Sequence, residues 1–403
     1  MRVVVCGAGI AGLAAAERLG ALGHDVVVLE QAPGPRQQGY MIDFFGPGYD
    51  AAEATGLLPR LLDVGYDVSE AGYLDAAGRR RAGLSFKRFA APRGGRLVSL
   101  MRPDLEAALR AQLPPAVEVR YGAELVGLRD GPEEVRVELA DGTALVADLL
   151  VGADGIHSAV RRLLFGPERA FVRYLGYHTV AFSFVDPDIH AALGDRFCLT
   201  DTTDRMIGLY GLRGDRVAVF GVHRAADPTL PADPGAAVHD AYREMGWVVP
   251  RVLEHCPSGA QLYYDVVAQI ELPRWTRRRV ALVGDAACAV SLLAGQGASL
   301  GIAGAYLLAD RLARAGSMDE ALAGYESRWR PVAEATQRSA RRGMTWFLPR
   351  TAGQLRTRRL VLRLAMLPGV DRLVSATLTG APVELAEVLA RGGPARQPSQ
   401  PRG

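Results

Sequence analysis

The sequence predicts an α/β fold in which a domain of alternating strands and helices carries an inserted, mainly antiparallel β-sheet and is followed by C-terminal helices. Three observations predict it. A short apolar strand over Arg2–Cys6 leads through a glycine-rich turn into a helical pattern at 12–22. A β-rich stretch, 171–270, then interrupts the alternation of strands and helices. Buried-strand character returns at 280–283, and long helical patterns follow it.

The predicted elements follow one another at the spacing of strand–helix–strand units. Asp141-Gly142 and Gly214-Asp215 are typical of tight turns between paired strands. The predicted strands cover 2–6, 26–29, 40–45, 117–121, 135–139, 144–151 and 280–283 in the first domain, and 179–185, 206–212 and 217–223 in the inserted sheet. The predicted helices cover 12–22, 103–112, 298–313 and 318–340.

Composition excludes several classes of protein. The chain has 403 residues, 49% of them hydrophobic, which is enough for two domains around a large core. Its 47 basic residues are nearly balanced by 44 acidic ones, so we expect no nucleic-acid partner. Cys6, Cys198, Cys256 and Cys288 form no Cys-x-x-Cys pair, so we expect neither a metal site nor a disulfide framework. Reduced thiols fit a cytoplasmic protein.

Three segments could be mistaken for membrane or targeting elements. The N-terminal apolar run resembles a signal peptide, but its regularly spaced glycines and the strand that follows favour a buried strand and turn. The uncharged segment 286–309 is long enough to span a bilayer, yet it contains four glycines and adjoins Asp285, which favours a core helix. Arginines interleave with apolar residues at 341–364. They could form a basic helix at a membrane surface, but a docked helix pair is favoured because few charges share one face.

The first motif that carries chemistry lies between the first strand and the first helix. Gly7, Gly9 and Gly12 form a Gly-x-Gly-x-x-Gly pattern, in which one glycine makes the turn, one lets the backbone approach a pyrophosphate and one packs helix on strand. The free N–H groups of the helix N-terminus attract phosphate. Glu30 ends the second strand, where a carboxylate can accept hydrogen bonds from a ribose and would repel a 2′-phosphate.

Two further motifs each follow a predicted strand. Asp154 stands in a glycine-flanked turn at 152–155, with Ser158 and Arg161 on the next helix, and this turn is either a polar ligand-facing loop or a capped helix start. Asp285 follows Gly284 at the end of the strand at 280–283, and a Gly-Gln-Gly turn then opens a long apolar helix. The N-terminus of that helix could face a negative charge that develops on a bound ligand during a reaction. The alternative is that the segment is only a turn and a helix of the core.

Taken in order, the three motifs resemble the fingerprint of the class A, aromatic-hydroxylase-like flavoprotein monooxygenases, over residues 2 to 330. The resemblance implies a Rossmann-like, GR2-type FAD-binding domain with an inserted substrate-binding sheet. Finer similarity points to the tetracycline-inactivating flavin monooxygenases and their antibiotic-biosynthesis relatives, through an arginine seven residues before an aspartate. Arg36 and Asp43 reproduce that spacing and inherit contacts to NADPH and FAD respectively.

The resemblance also implies a division of the chain and a set of cofactor contacts. The FAD-binding domain is expected at 1–70, 96–170 and 271–340, the substrate domain at 71–95 and 171–270, a helical region at 341–391 and a disordered tail at 392–403. The expected cofactor-binding residues are Gly7, Gly9, Ile10, Ala11, Gly12, Glu30, Gln31, Arg36, Asp43, Arg102, Val126, Asp154, Gly284, Asp285, Gly295, Gln296, Gly297 and Ala298.

The chain departs from the family pattern beside the expected flavin ring. The family usually carries histidine where Cys288 stands, and proline where Ser291 and often Leu292 stand. These changes leave FAD binding in place and put the outcome of the reaction in question.

The activity that the resemblance implies is reduction of FAD by NAD(P)H, followed by reaction with O2 to a flavin C4a-(hydro)peroxide that oxygenates an aromatic or polyketide-like molecule. The flavin does this chemistry, so no protein residue is singled out as catalytic. Two alternatives stay open: an enzyme that keeps FAD but catalyses a non-redox step such as a cyclisation, and a non-catalytic nucleotide-binding protein. The substrate-contact candidates are Tyr40, His178, Phe182, Phe184, Tyr210, Arg213, His223, Leu292 and Leu293.

Overall fold

The computed structural model describes residues 1–36, 38–91, 94–364 and 385–390. The strands are β1 Arg2–Cys6, β2 Asp25–Glu30, β3 Met41–Phe45, β4 Glu70–Leu74, β5 Arg80–Ser85, β6 Leu97–Met101, β7 Glu118–Tyr121, β8 Leu125–Asp130, β9 Val135–Leu139, β10 Ala144–Ala147, β11 Leu149–Gly152, β12 Val172–Val185, β13 Phe197–Thr202, β14 Arg205–Leu212, β15 Arg216–Arg224, β16 Tyr263–Ile270, β17 Thr276–Arg277 and β18 Val280–Leu282. The helices are α1 Ile10–Ala21, α2 Pro47–Ala54, α3 Leu58–Val64, α4 Phe86–Ala90, α5 Arg102–Ala111, α6 Ala159–Phe165, α7 Pro187–Leu193, α8 Pro234–Tyr242, α9 Val249–Glu254, α10 Asp285–Cys288, α11 Gly297–Arg314, α12 Met318–Phe347, α13 Ala352–Leu364 and α14 Leu385–Ala390.

A six-stranded sheet forms the centre of the nucleotide-binding part, in the order β17-β18-β11-β1-β2-β7. Its strands are parallel except for β17, which pairs antiparallel with β18. Val3, Val4 and Val5 of β1 are at most 1% exposed, as expected for a strand that is covered on both faces. The order brings the carboxyl ends of β1, β11 and β18 together at one edge, and each is followed by one of the three motifs.

The single strand predicted at 144–151 is wrong. The structure divides it into β10, which pairs with β9 in a small antiparallel sheet, and β11, which pairs with β1 in the main sheet. Asp148 separates the two strands, and its carboxylate accepts a hydrogen bond from the backbone N–H of Arg2 at 2.7 Å. An apolar run cannot show that a chain changes sheets within it, because both halves are equally apolar.

The second large unit is a seven-stranded sheet in the order β16-β12-β15-β14-β13-β4-β5. All its pairs are antiparallel except that between β13 and β4. Register sets which side chains share a face: Thr179 of β12 lies opposite Asp265 of β16, whereas its neighbour His178 belongs to the other face. One face therefore looks toward the nucleotide-binding part, and α8 and α9 pack on the other.

The long helices close the structure around the first sheet. α11 is buried over most of its length and packs against α1, α2 and α12. Within the described residues, every helix is too short or too polar to cross a membrane. The predicted helical region at 341–391 includes α13, which docks on the seven-stranded sheet where Arg358 and Arg359 pair with Asp201. Residues 365–384 and the tail at 392–403 lie outside the described residues.

Candidate active site

A cavity of about 570 Å³ opens between the two large sheets. Its lining includes the glycine-rich turn after β1, the turn after β11 and the start of α10 and α11. On the opposite side it is lined by β12 and β16 of the seven-stranded sheet. The volume is within the range of ligand and cofactor pockets, and its walls come from both structural units.

Each glycine of the first turn is required for a different structural reason. Gly7 adopts φ +103°, and a Cβ there would lie 2.5 Å from the carbonyl oxygen of Ala153. A Cβ on Gly12 would lie 1.9 Å from the carbonyl oxygen of Gly7. Gly9 has no atom within 4 Å of its Cβ position and lines the cavity, so a side chain there would occupy ligand space. Ile10 and Ala11 also line the cavity at the beginning of α1.

Glu30 stabilises this turn from the end of β2. Its Oε2 accepts a hydrogen bond from the backbone N–H of Ala8 at 2.9 Å, and its Oε1 accepts one from Ala32 at 2.9 Å. Both carboxylate oxygens keep a further lone pair for a ligand hydroxyl. Gln31 and Arg36 line the same end of the cavity.

The turn after β11 holds its aspartate by local hydrogen bonds. Asp154 accepts from Ser158 Oγ at 2.5 Å and from the backbone N–H of Val160 at 3.0 Å, while burial raises its pKa. Asp154 lines the cavity, but Arg161 does not lie among the lining residues. Arg161 is fully buried and donates to the carbonyl oxygens of Ile156 and Ala286. The motif thus provides both a ligand-facing acid and a structural arginine.

The third motif places an aspartate on the cavity wall. Asp285 lies at the start of α10 and lines the cavity, where desolvation raises its pKa while Arg102 lowers it. Arg102 pairs with Glu106 one turn further along α5, at 3.0 Å. Burial lowers the pKa of Arg102, but Glu106, Tyr40, Tyr263 and Asp285 together raise it by more, so the net pKa is raised.

The amino end of α11 faces the same space. Gly284, Gly295, Gly297 and Ala298 line the cavity. Gln296 is the N-cap residue of α11 and its side chain makes no capping hydrogen bond. The first backbone N–H groups of this 18-residue helix therefore remain available to an acceptor in the cavity.

The sheet side of the cavity contributes residues that the sequence did not identify. Thr179, Tyr263 and Asp265 line it, and Tyr40 lies against Tyr263 with ring centroids 5.9 Å apart. Tyr40 also contacts Phe220, again at 5.9 Å. Burial raises the pKa of Tyr40 to about 12, so its hydroxyl stays protonated near neutral pH.

His157 is a further residue that sequence reasoning missed. It lines the cavity and bridges the two units, with Nδ1 2.8 Å from Glu168 Oε1 and Nε2 3.5 Å from Asp265 Oδ1. Hydrogen bonding to Asp265 and Glu168 raises its pKa to about 9, against the opposing effect of burial. Its only sequence signal was its place two residues after Gly155 in the second motif.

Four expected cofactor-binding residues do not lie among the residues that line the cavity. Gly12 packs on Gly7, and Gln296 occupies the N-cap position of α11 without a capping hydrogen bond from its side chain. Val126 is 49% exposed on β8, and Leu125 lines the cavity instead. Asp43 accepts a hydrogen bond from Ser99 Oγ at 2.6 Å, and burial raises its pKa to about 6.

Most substrate-contact candidates from the inserted sheet lie elsewhere. Phe182 and Phe184 belong to the apolar cluster under α8 and α9, because even-numbered residues of β12 face away from the cavity. Arg213 donates to the carbonyl oxygens of Val64 and Gly65 at the end of α3. Tyr210 stacks on Phe197, with ring centroids 3.9 Å apart.

The two histidines of the candidate set form a separate polar cluster. His178 and His223 both hydrogen-bond to the hydroxyl of Tyr264, at 3.0 and 3.1 Å, and His223 also contacts Tyr242. Burial lowers the pKa of His223 to about 4. Of the remaining candidates, Tyr40 and Leu292 line the cavity, and the side chain of Leu293 lies outside the described part of the structure.

These residues fit the ADP portion of FAD. An open path to the backbone at Gly9 suits a pyrophosphate, which the N-terminus of α1 would attract. Glu30 suits the hydroxyls of an adenosine ribose. Asp285 and the N-terminus of α11 supply polar groups for the rest of the cofactor.

Comparison with known proteins agrees with this fit. Residues 1–340 match the family described as "FAD binding domain". An uncharacterized protein of Mycobacterium tuberculosis is 37% identical over 328 residues, which cover 78% of this chain and 85% of that protein. A flavin-dependent monooxygenase of Legionella longbeachae is 25% identical over 344 residues, covering 84% of this chain and 87% of that protein.

A solved structure gives the same result for the fold. Tetracycline destructase Tet(55) is 25% identical and superimposes with a TM-score of 0.79, covering 95% of this chain and 97% of its own. The resemblance to the class A flavin monooxygenases is thereby confirmed, and so are the α/β fold and FAD as the cofactor. The chain belongs to the FAD-binding-domain family and, within it, to the FAD-dependent monooxygenases.

Proposed function

We propose that this protein uses NAD(P)H and O2 to oxygenate an aromatic or polyketide-like small molecule in the cavity between its two sheets. The observation that carries the proposal is the composition of the cavity wall. One side has the three cofactor motifs, and the other has Thr179, Tyr263 and Asp265 of the seven-stranded sheet. Cofactor and substrate would therefore meet in one space that the two units enclose.

The sheet side of the cavity favours a planar, unsaturated substrate. Tyr40 and Tyr263 line it as a tilted aromatic pair, and Leu292 adds an apolar wall. Aromatic faces bind flat rings through offset or edge contacts. Thr179 and Asp265 also line this side of the cavity, where they would contact ionisable or hydroxyl groups of a substrate. The tetracycline destructase that superimposes on this chain acts, by its name, on tetracycline.

Bound FAD would supply the redox chemistry, accepting a hydride from NAD(P)H and activating O2. The protein's own residues would bind, orient and exclude water. Glu30 and the Gly9 backbone would hold the ADP half, and Asp285, Arg102 and the N-terminus of α11 the remainder. Arg36, exposed at the mouth of the cavity, would meet the nicotinamide nucleotide from solution. We propose the cytoplasm, where NAD(P)H is available, as the location.

The first experiment tests the redox half of the proposal without knowing the substrate. The purified flavoprotein is mixed anaerobically with NADPH or NADH in a stopped-flow instrument, and then with O2, alone and with candidate polyketides and aromatic acids. Loss of flavin absorbance followed by its return, with incorporation of labelled O2 into a product, is the expected result. Complete turnover without NAD(P)H and O2 would overturn it in favour of a non-redox enzyme.

A matched pair of variants tests the aromatic wall. Tyr263→Leu removes the ring, whereas Tyr263→Phe keeps the ring and removes only the hydroxyl. If the ring binds the substrate, Tyr263→Leu should raise KM about tenfold, as for loss of an aromatic contact, and Tyr263→Phe should change it much less. Equal effects of both variants would show that the hydroxyl, and not the ring, contacts the substrate.

A further inference from the structure

The turn of residues 289–292 forms part of the cavity wall beside the third motif. Ala289, Val290, Ser291 and Leu292 all line the cavity. Ser291 adopts φ +82°, in the left-handed region that residues with a side chain seldom occupy. Such a conformation persists only where surrounding contacts enforce it, and it is enriched at functional sites. We call this segment the Ser291 turn.

Two buried glutamines hydrogen-bond to carbonyl groups of the Ser291 turn. Gln269 of β16 is 0% exposed, and its Nε2 donates to the carbonyl oxygens of Val290 at 3.0 Å and Gln337 at 3.1 Å. Gln337 of α12 is 5% exposed, and its Nε2 donates to the carbonyl oxygens of Ala289 at 3.0 Å and Ile270 at 2.8 Å. Each amide nitrogen thus uses both of its hydrogens.

Arg341 fixes the orientation of the Gln269 amide. Its Nη1 donates to Gln269 Oε1 at 2.5 Å and to Glu271 Oε1 at 3.0 Å. A guanidinium group can only donate, so the oxygen of Gln269 faces Arg341 and its NH2 group faces Val290 and Gln337. Each glutamine therefore donates one hydrogen bond into the Ser291 turn and one that links β16 with α12.

The backbone of Ser291 excludes one common way to fix a turn. A proline, with φ near −65°, could not adopt the conformation seen here. Residues 289–292 contain no proline, so no ring restrains the turn covalently. The glutamine network provides a restraint of a different kind, through hydrogen bonds from outside the turn.

We propose that Gln269 and Gln337 are positioning residues that hold the Ser291 turn in its left-handed conformation and thereby fix the cavity wall beside the cofactor. They act through the backbone of the turn and do not line the cavity themselves. The consequence for oxygenation rests on the proposed function. The restraint itself rests only on the hydrogen bonds and the backbone angle.

A double-mutant design on the FAD-loaded full-length protein tests the restraint. The variants are Gln337→Met, which conserves volume and removes both donors, Ser291→Gly, which tolerates a left-handed φ without strain, and the two combined. Gln354→Met, at an exposed position of α13, is the matched control. The measurement is the rate of FAD release, followed by flavin fluorescence.

Gln337→Met should release FAD about tenfold faster than the wild type, the effect expected from losing two buried hydrogen bonds that shape the wall. Ser291→Gly should restore most of that loss in the double variant, because glycine keeps the conformation without help. Additive effects of the two changes, or an unchanged release rate in Gln337→Met, would overturn the proposal. Gln354→Met should behave as the wild type.

A second measurement applies even if Gln337→Met does not fold. Ser291→Gly alone should raise the urea midpoint of unfolding, because it removes strain that the glutamines hold in place. A lowered midpoint would show that the left-handed conformation is not enforced and would overturn the proposal. Neither readout uses NAD(P)H or substrate, so failure of the proposed function in stopped-flow experiments would be recognised separately.

Discussion

A Cβ placed on Gly12 would lie 1.9 Å from the carbonyl oxygen of Gly7, whereas a Cβ on Gly9, between them, would meet no atom within 4 Å. The first contact packs α1 against the turn that follows β1. The open space at Gly9 belongs to the cavity. Glycines of one motif thus serve two different purposes, packing within the protein and access for the ligand.

This difference predicts opposite effects of two alanine substitutions. Gly9 has φ −80° and ψ −175°, a backbone that alanine adopts easily, so Gly9→Ala should leave the unfolding midpoint of the apoprotein nearly unchanged. The added methyl group of Gly9→Ala should lower FAD affinity about tenfold or more, because it would occupy the position of the pyrophosphate. Gly12→Ala should lower the midpoint itself. Calorimetry of the apoproteins and FAD titration separate the effects, and wild-type affinity in Gly9→Ala would contradict the assignment.

Replacement of Glu30 by glutamine, its uncharged amide, is expected to destabilise the protein. The two oxygens of Glu30 accept hydrogen bonds from the backbone N–H groups of Ala8 and Ala32, so in Glu30→Gln one N–H would face an NH2 group. We expect the free energy of unfolding to fall by about 1–3 kcal/mol, the cost of an unsatisfied buried donor. Glu118→Gln, exposed on neighbouring β7, is the control and should change stability by less than about 0.5 kcal/mol. Equal losses in urea denaturation would argue against the hydrogen-bonding role.

The cofactor side of the site could be predicted because its signals are local. Gly7, Gly9 and Glu30 follow from one strand–turn–helix–strand unit, and Asp154 and Asp285 each follow the end of a strand. Such patterns need no knowledge of distant contacts. The fold class followed from the same units, and the comparisons confirm it.

Tyr40 and Leu292 were predicted and line the cavity, but the contribution of the inserted sheet could not be predicted, because the choice of face in a strand depends on contacts between distant elements. His178, Phe182 and Phe184 were chosen by residue type, yet the neighbouring Thr179 is the residue of β12 that lines the cavity. A shift of one residue exchanges the two faces of a strand, and both faces of β12 are buried, so hydrophobic alternation does not reveal which one meets the ligand.

His157 is expected to make stability depend on pH in the alkaline range. Its pKa is raised to about 9, chiefly by hydrogen bonding to Asp265 and also to Glu168, so the folded protein holds the proton more tightly than the unfolded chain. This stabilisation is fully present below the unfolded value near 6.5 and is lost as the pH rises through about 9. The contribution is modest, because 53% of the side chain is exposed.

The test compares urea midpoints of the wild type and His157→Gln from pH 6 to pH 10. The wild type should lose more stability across this range than His157→Gln, and the two curves should converge at high pH. His239→Gln, exposed on α8, should follow the wild type. Parallel curves for the wild type and His157→Gln would show that the bridge to Asp265 and Glu168 does not form in solution.

Asp43 leads to a dependence of the same sign at lower pH, because its raised pKa also makes stability fall as the pH rises. Burial raises its pKa to about 6, although the hydrogen bond from Ser99 Oγ lowers it, so the folded state disfavours the ionised carboxylate. That cost is fully present above pH 6 and disappears as the pH falls toward the unfolded value of 3.8. Asp43→Asn keeps the shape and an oxygen to accept from Ser99. It should therefore be more stable than the wild type at pH 8 and nearly equal to it at pH 4, as measured by urea denaturation.

The same variant tests the FAD contact that the family resemblance implies for Asp43. Because the carboxylate is bonded to Ser99 and does not lie among the residues that line the cavity, Asp43→Asn should keep FAD affinity within about threefold of the wild type, less than the loss of one hydrogen bond to a charged group. Asp285→Asn, which alters a carboxylate inside the cavity, should weaken FAD binding by more. If Asp43→Asn instead releases FAD as readily as Asp285→Asn, the carboxylate turns toward the cofactor when FAD binds, and its raised pKa would then belong to the apoprotein alone.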